Sequence, residues 1–322
     1  DYGDDWERID DGLPDNNFVR VVREDPARQG LLYAGTEGGM YASFDDGDNW
    51  QSLDLNLPPV PITDLTIRQD DLVAATQGRG FWVLDDLSVI RQADGALARK
   101  PLHLFSPGEV EMIRGGRSAG ANEGSNPSRG VTLSYYIAEE QDGPISIEIL
   151  DESGNVVRTY SGEEGDFERC LQSITDQRTA FESKYPAKKP GLNQWTWDLR
   201  RDGLNCIDNL ILYAGFSGAT VPPGTYQLLV SVGDSQSTSS VTLLPDPRSS
   251  ASPAEYEFLN TRLNEVTDLL NDLVGSLAAV RKSRIEVESL LADFPNVEGL
   301  QIAGESAIDR LTTWENTVTQ TQ

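Results

Sequence analysis

The sequence predicts a mainly-β chain: the last two-plus blades of a β-propeller, then a β-sandwich, then a C-terminal α-helical hairpin. Three observations carry this. The stretch Thr36–Asp46 (TEGGMYASFDD) returns at Thr76–Asp86 (TQGRGFWVLDD), and a period of about 40–45 residues with short strands marks a propeller blade. Between residues 131 and 244 lie runs of alternating apolar and polar residues bounded by turn signals, the pattern of half-buried strands. From residue 252 onward apolar residues recur at helical spacing.

Residues 1–92 form the repeat region. Trp6 to Ile9 is expected to be the last strand of one blade, with Gly3 and Trp6 as the tail of a copy whose full form ends at Trp50. Phe18–Arg23, Leu31–Gly35, Met40–Phe44 and Trp50–Leu53 make the next blade, and Ile62–Ile67, Leu72–Thr76 and Gly80–Leu84 the last. Its acidic turn has degenerated, with Leu87 where Gly47 stood and Ile90 where Trp50 stood, as terminal repeats often do. The ungapped match sets Phe81 against Tyr41, and packs Phe81 and Trp82 between blades.

The turn Ser43–Trp50 has the pattern Ser-x-Asp-x-Gly-x-x-Trp, and each position has a physical task. Gly47 can adopt the left-handed backbone of a tight hairpin. Asp45 can accept hydrogen bonds from the turn's own amides, and Ser43 can do so more weakly. Trp50 buries a large ring beneath the turn. The aspartates are therefore read as structural. Calcium ligation by the run Asp45–Asp48 is the alternative reading.

This turn, on this period, resembles the Asp-box or BNR repeat of sialidase-like and sortilin-like propellers. The string Gln77–Asp86 (QGRGFWVLDD) resembles the end of the propeller in large secreted bacterial proteins labelled glycosyl-hydrolase-like. The resemblance is specific for fold and weak for function, because such labels follow fold analogy.

Residues 93–100 read as a polar linker, and residues 101–247 as the sandwich. Its expected strands are Val131–Ile137, Ile145–Leu150, Val156–Tyr160, Gln194–Leu199, Gly224–Val232 and Ser239–Leu244, with Tyr226 facing inward. The segments Ile147–Arg158, Trp195–Asp198 and Pro223–Tyr226 resemble the immunoglobulin-like domain of flagellar hook-capping proteins. Here Trp197-Asp198-Leu199 replaces the usual Trp-Asp-Gly. Two insertions interrupt the domain, at 114–130 and 161–190. The first is rich in Gly, Ser and Asn; the second has helical spacing at Phe167, Leu171, Ile174 and Phe181 and carries Cys170. Residues 251–322 form the hairpin: Ser252, Pro253 and Glu255 signal a capped start, and helices are expected to about Phe294 and from Ala303 to Val318.

The chain of 322 residues carries 52 Asp and Glu against 26 Lys and Arg, a formal charge of −26. That argues against nucleic acid as a partner, which requires a basic footprint, and against anionic membrane surfaces. No run of about 18 apolar residues could insert in a membrane. Cys170 and Cys206 are a disulfide candidate in an oxidising compartment and free thiols in a reducing one. With His103 the sole histidine and two separated cysteines, neither a Ser-His-Asp nor a zinc constellation can be assembled. His103 is read as a strand residue.

No catalytic residue, metal ligand or cofactor is assigned. Sialidase-type sites, by the resemblance, converge three arginines with a tyrosine and an acid. Arg20, Arg23, Arg68 and Arg79 are available, but their spacing singles out no such trio. Arg79, between two glycines, and Trp82 are the candidates to face a ligand; the alternative readings are a turn arginine pairing with a nearby Asp and a tryptophan packed between blades. The sequence therefore reads as the non-catalytic binding or scaffold part of a secreted or cell-surface protein that contacts glycan or protein. The alternative is part of a glycoside hydrolase whose site lies in missing N-terminal blades. Too few blades leave open sheet edges, so their partners are expected to be the remaining blades or another chain.

Overall fold

The computed structural model describes residues 3–113, 129–162, 167–168, 181–182, 185–205, 207, 210 and 215–319. Cys170, Cys206 and nearly all of the 114–130 insertion lie outside the described residues. The fold is mainly β, in several sheets, with a C-terminal helical pair.

The first sheet contains β1 (Val19–Glu24), β2 (Leu32–Thr36), β3 (Met40–Ser43) and β4 (Gln51–Ser52), antiparallel and in sequence order. The second contains β5 (Ile62–Arg68), β6 (Asp71–Thr76) and β7 (Phe81–Leu84), also in order. The repeat is written into the pairing. β1 and β5 each carry a register shift at the same place, between Val19 and Val21 and between Ile62 and Asp64. The first sheet turns Leu31, Tyr33, Met40 and Ala42 toward Ile62, Leu65, Leu72 and Ala74 of the second. Its opposite face, Leu32 and Ala34, packs with Trp50 and Leu13, so every residue of β2 is buried. At the sheet junction Gly35 cannot carry a side chain, since a Cβ there would lie 2.6 Å from the Ile62 Cγ2.

Two expectations for this region fail. Residues Trp6–Ile9 form no strand, and Trp6 is 90% exposed where Trp50 is 6%. Among the described residues the Trp6 ring has only a local partner, donating from Nε1 to the Gly3 carbonyl at 3.0 Å. Moreover, the second turn is one residue longer. Gly35 pairs with Met40, but Ala75 pairs with Phe81. Phe81 therefore holds the place of Met40, and Trp82 that of Tyr41.

A short helix, α1 (Ser88–Gln92), follows and is pinned to the first sheet. The Arg91 Nε meets both Asp25 oxygens at 3.0 Å, and its Nη1 contacts Asp70. Asp25 is buried and also accepts from the Tyr33 hydroxyl (3.1 Å) and from the amides of Ala27 and Arg28. Arg28 donates in return to the carbonyls of Ile90, Arg91 and Ala93. Burial, then the Asp25 charge, raises the Tyr33 phenol's pKa far above its usual value, keeping it a donor.

Beyond a 3-10 turn at Leu97–Arg99 come β8 (Leu102–Leu104), β9 (Val110–Glu111), β10 (Val131–Ile137), β11 (Ile145–Leu150) and β12 (Val156–Gly162). Then follow β13 (Phe167–Glu168), β14 (Phe181–Glu182), β15 (Gly191–Trp197), β16 (Gly224–Val232) and β17 (Ser235–Leu244). One sheet runs β15-β10-β8 and another β12-β11-β16-β17-β9. They share one core, with Leu133, Tyr135 and Trp197 from one and Ile147, Leu228 and Val230 from the other. The alternation is regular: in β11, Ile145, Ile147 and Ile149 are buried and the residues between them half-buried. Tyr226 faces in and donates its hydroxyl to the Pro222 carbonyl at 2.8 Å. In the second insertion the helical expectation fails at its ends: β13 pairs antiparallel with β14. Both phenylalanines thus sit in a ribbon, and the residues between lie outside the described set.

The helices are α2 (Pro253–Asp293) and α3 (Glu298–Val318), the latter beginning five residues earlier than the sequence suggests. Ser252 and Glu255 form a full capping box. α3 packs against the second half of α2, where Val274 and Leu277 are buried and Gly304 meets Leu291. Buried Glu315 receives Arg281 at 2.7 Å and Arg284 at 2.8 Å. The hydrogen bond from Arg281, with both guanidinium charges, lowers the Glu315 pKa. A depressed carboxylate stabilises fully above its unfolded value of about 4.3, and that contribution is lost as pH falls through the lower folded value. Glu315→Gln should thus weaken α2–α3 pairing at neutral pH, with the difference from wild type shrinking as pH falls below about 4.3 and vanishing only below the lower folded value. Hydrogen exchange of α3 amides across a pH series reads this directly, and a difference that persists in acid would contradict it.

Candidate functional site

The Ser43–Trp50 turn is built by its own side chains. The Ser43 hydroxyl donates to Asp45 Oδ1 at 2.8 Å and accepts from the Gly47 amide at 2.9 Å. Asp45 takes the Asn49 amide on Oδ1 and the Asn49 side chain on Oδ2, both at 2.9 Å. These bonds, led by that from the Asn49 side chain, lower the Asp45 pKa. Asp46 and Gly47 both have positive φ, 61° and 98°. The Trp50 indole donates to the Ile9 carbonyl at 2.8 Å, and its amide to Asp11 at 2.8 Å. The carboxylate is therefore occupied by neutral donors of its own loop. Among the described residues, no group of three His, Cys, Asp or Glu could hold a metal ion.

Ser43→Ala should cost about 1–3 kcal/mol, because the buried Gly47 amide and Asp45 both lose a partner. Thermal unfolding of the purified variant measures it; an unchanged midpoint would show that the turn closes without the hydroxyl.

The β2–β3 and β6–β7 turns share one device. Thr36 bonds the Gly39 carbonyl through amide and hydroxyl, both at 2.9 Å. Thr76 treats the Gly80 carbonyl likewise, at 3.1 and 2.7 Å. The extra residue of the second turn is Arg79. Its amide donates to the Thr76 hydroxyl, and its carbonyl accepts from the Trp82 indole at 3.2 Å. The Arg79 side chain projects from an exposed turn, while Trp82 is half-buried against the core between the two sheets. Phe81, expected between blades, is 79% exposed on the other side of β7. Strand alternation makes that split, and the longer turn decides which residue falls on which side. Arg20 is engaged by Glu37 at 2.8 Å, and Arg23 by Asp64 at 2.7 Å, so the structure does not converge them with Arg79.

Sequence reasoning missed a groove of about 510 Å³ between the sheets and the first half of α2. Met112, Thr220, Pro222, Asp246, Tyr256 and Leu259 line it. No motif announces it, because its walls come from separate segments. His103 lies elsewhere, on β8 opposite Tyr136, with burial lowering its pKa.

No family model matches the chain, and no curated protein sequence matches it significantly. Two solved structures from B. thetaiotaomicron are similar. One is the extracellular domain of BT4673 described as a one-component system, at 9% identity and a TM-score of 0.19. The other is the same domain described as a hybrid two-component system, at 8% identity and a TM-score of 0.19. Each match covers 73% of this chain and 26% of the other. No helix among the described residues is long and apolar enough to cross a membrane.

Proposed function

We propose that this chain is a non-catalytic binding and scaffold portion of a secreted or cell-surface propeller protein of the Asp-box type, with an immunoglobulin-like sandwich behind it. One observation carries the reading: the two N-terminal sheets stack head to tail. Tyr33, Met40 and Ala42 of the first sheet face the second. By strand pairing their counterparts in the second sheet are Val73, Phe81 and Val83, and these lie on the face turned away from the first sheet. Phe81 and Val83 are exposed there. A face that packs in one unit and stands open in the next supports a further sheet of the same kind, or another chain, as its natural cover.

Arg79, on the exposed turn, and Trp82, half-buried on the side of β7 opposite that face, are the proposed contacts for a glycan, a guanidinium to bond hydroxyls and the accessible part of an indole to stack. Asp45, held in its own turn, supports a structural role for the acidic motif. A glycan array on the purified chain tests this. Binding that weakens about tenfold in Arg79→Ala or Trp82→Ala, with no release of reporter sugars, is the expected result. Turnover of a reporter sugar by this chain would overturn the non-catalytic reading.

A further inference from the structure

We infer that the first half of α2 is a docking surface for a basic-bordered amphipathic helix of a partner protein. The second half of α2 already binds a helix, α3, with Leu291 set against Gly304 and with Arg281 and Arg284 bonded to Glu315. An apolar stripe lies uncovered toward the N-terminus of α2. Phe258, Leu259, Val266 and Leu269 are 62%, 51%, 52% and 69% exposed, at spacings that place them along one side of a helix. From Phe258 to Leu270 the uncovered stripe runs about 18 Å. Leu259 also lines the 510 Å³ groove against the sheets, so the stripe has an adjoining recess for an anchoring side chain.

Charge selects the occupant. Glu265, Asp268 and Asp272 follow one another at three- and four-residue steps, an acidic row bordering the stripe. The basic Arg262 is engaged by Glu265 at 2.6 Å and stacks on Phe258. A second copy of this chain, with a net charge of −26, would bring acid against acid. A helix with leucines on one side and lysines or arginines along that border matches both features.

The test uses the full chain and a synthetic helical peptide of about 14 residues, long enough to span the stripe, with a leucine stripe and a lysine border. Saturable binding by calorimetry is expected, together with at least about tenfold loss in the double variant Val266→Asp/Leu269→Asp. Non-specific attraction to an acidic protein would instead strengthen in that variant, and would overturn the proposal. So would equal binding of a peptide with glutamates in place of lysines. A stable dimer of the free chain that the same variant dissolves would overturn it in favour of a second copy. Both substitutions are at exposed positions, and an unchanged circular dichroism spectrum separates lost docking from lost folding.

Discussion

Arg91→Ala will cost the N-terminal sheets about 3–5 kcal/mol, because it strands the Asp25 carboxylate in the interior. Asp25 is buried and Arg91 meets both of its oxygens. The Tyr33 hydroxyl and two amides remain, but none supplies a charge. The loss also frees Asp70 and leaves α1 tied to the first sheet by the Arg28 bonds to its carbonyls. Arg91→Lys should fall between wild type and alanine: it keeps the charge but cannot reach Asp25 and Asp70 together with one planar fork. Hydrogen exchange reports the result by region. Amides of β2 should exchange faster in Arg91→Ala while those of β11 and β16 are unchanged. Equal loosening of all three strands, or of none, would show that this ion pair does not organise the N-terminal sheets.

Trp197→Ala is the second large effect, about 3–5 kcal/mol, here in the other core. Trp197 is fully buried, donates its indole N–H to the Arg200 carbonyl at 2.8 Å and meets Tyr226 edge-on at 5.2 Å. Truncation removes the largest side chain shared between the two sheets and leaves the Arg200 carbonyl without its donor. Trp197→Phe should recover most of the packing and not the hydrogen bond. Chemical denaturation followed by near-ultraviolet circular dichroism separates these contributions. A midpoint in Trp197→Ala within error of wild type would mean that the core refills the space.

Much of the fold was legible in the sequence because its strongest signals are local. The alternation in β10, β11 and β16 left little choice of face, and Ser252-Pro253-Ala254-Glu255 specified the start of α2 to the residue. What escaped depends on contacts at a distance. An ungapped repeat cannot show that the β6–β7 turn has one residue more, although that residue decides whether Phe81 is buried or exposed. Helical spacing in the second insertion was misleading, since Phe167 and Phe181 satisfy it equally well as ends of a two-stranded ribbon. The Asp25–Arg91 pair was illegible because its members lie on a turn and on a helix far apart in sequence. As for the site, the pattern of the turn singles out Ser43, Asp45, Gly47 and Trp50, but it names neither Asn49, which bonds Asp45 twice, nor the α2 groove, whose walls come from unrelated segments.

The head-to-tail stacking of the two sheets has a consequence for assembly symmetry. A contact in which face meets unlike face is heterologous: it does not exhaust itself in a pair, and it carries a direction. Growth of such a stack is stopped by chemistry on one face alone. Charges at Val73 and Val83, which pair across β6 and β7, would make the second sheet a terminal cap while leaving its contact with the first sheet untouched, in the manner of end repeats with a polar outer face.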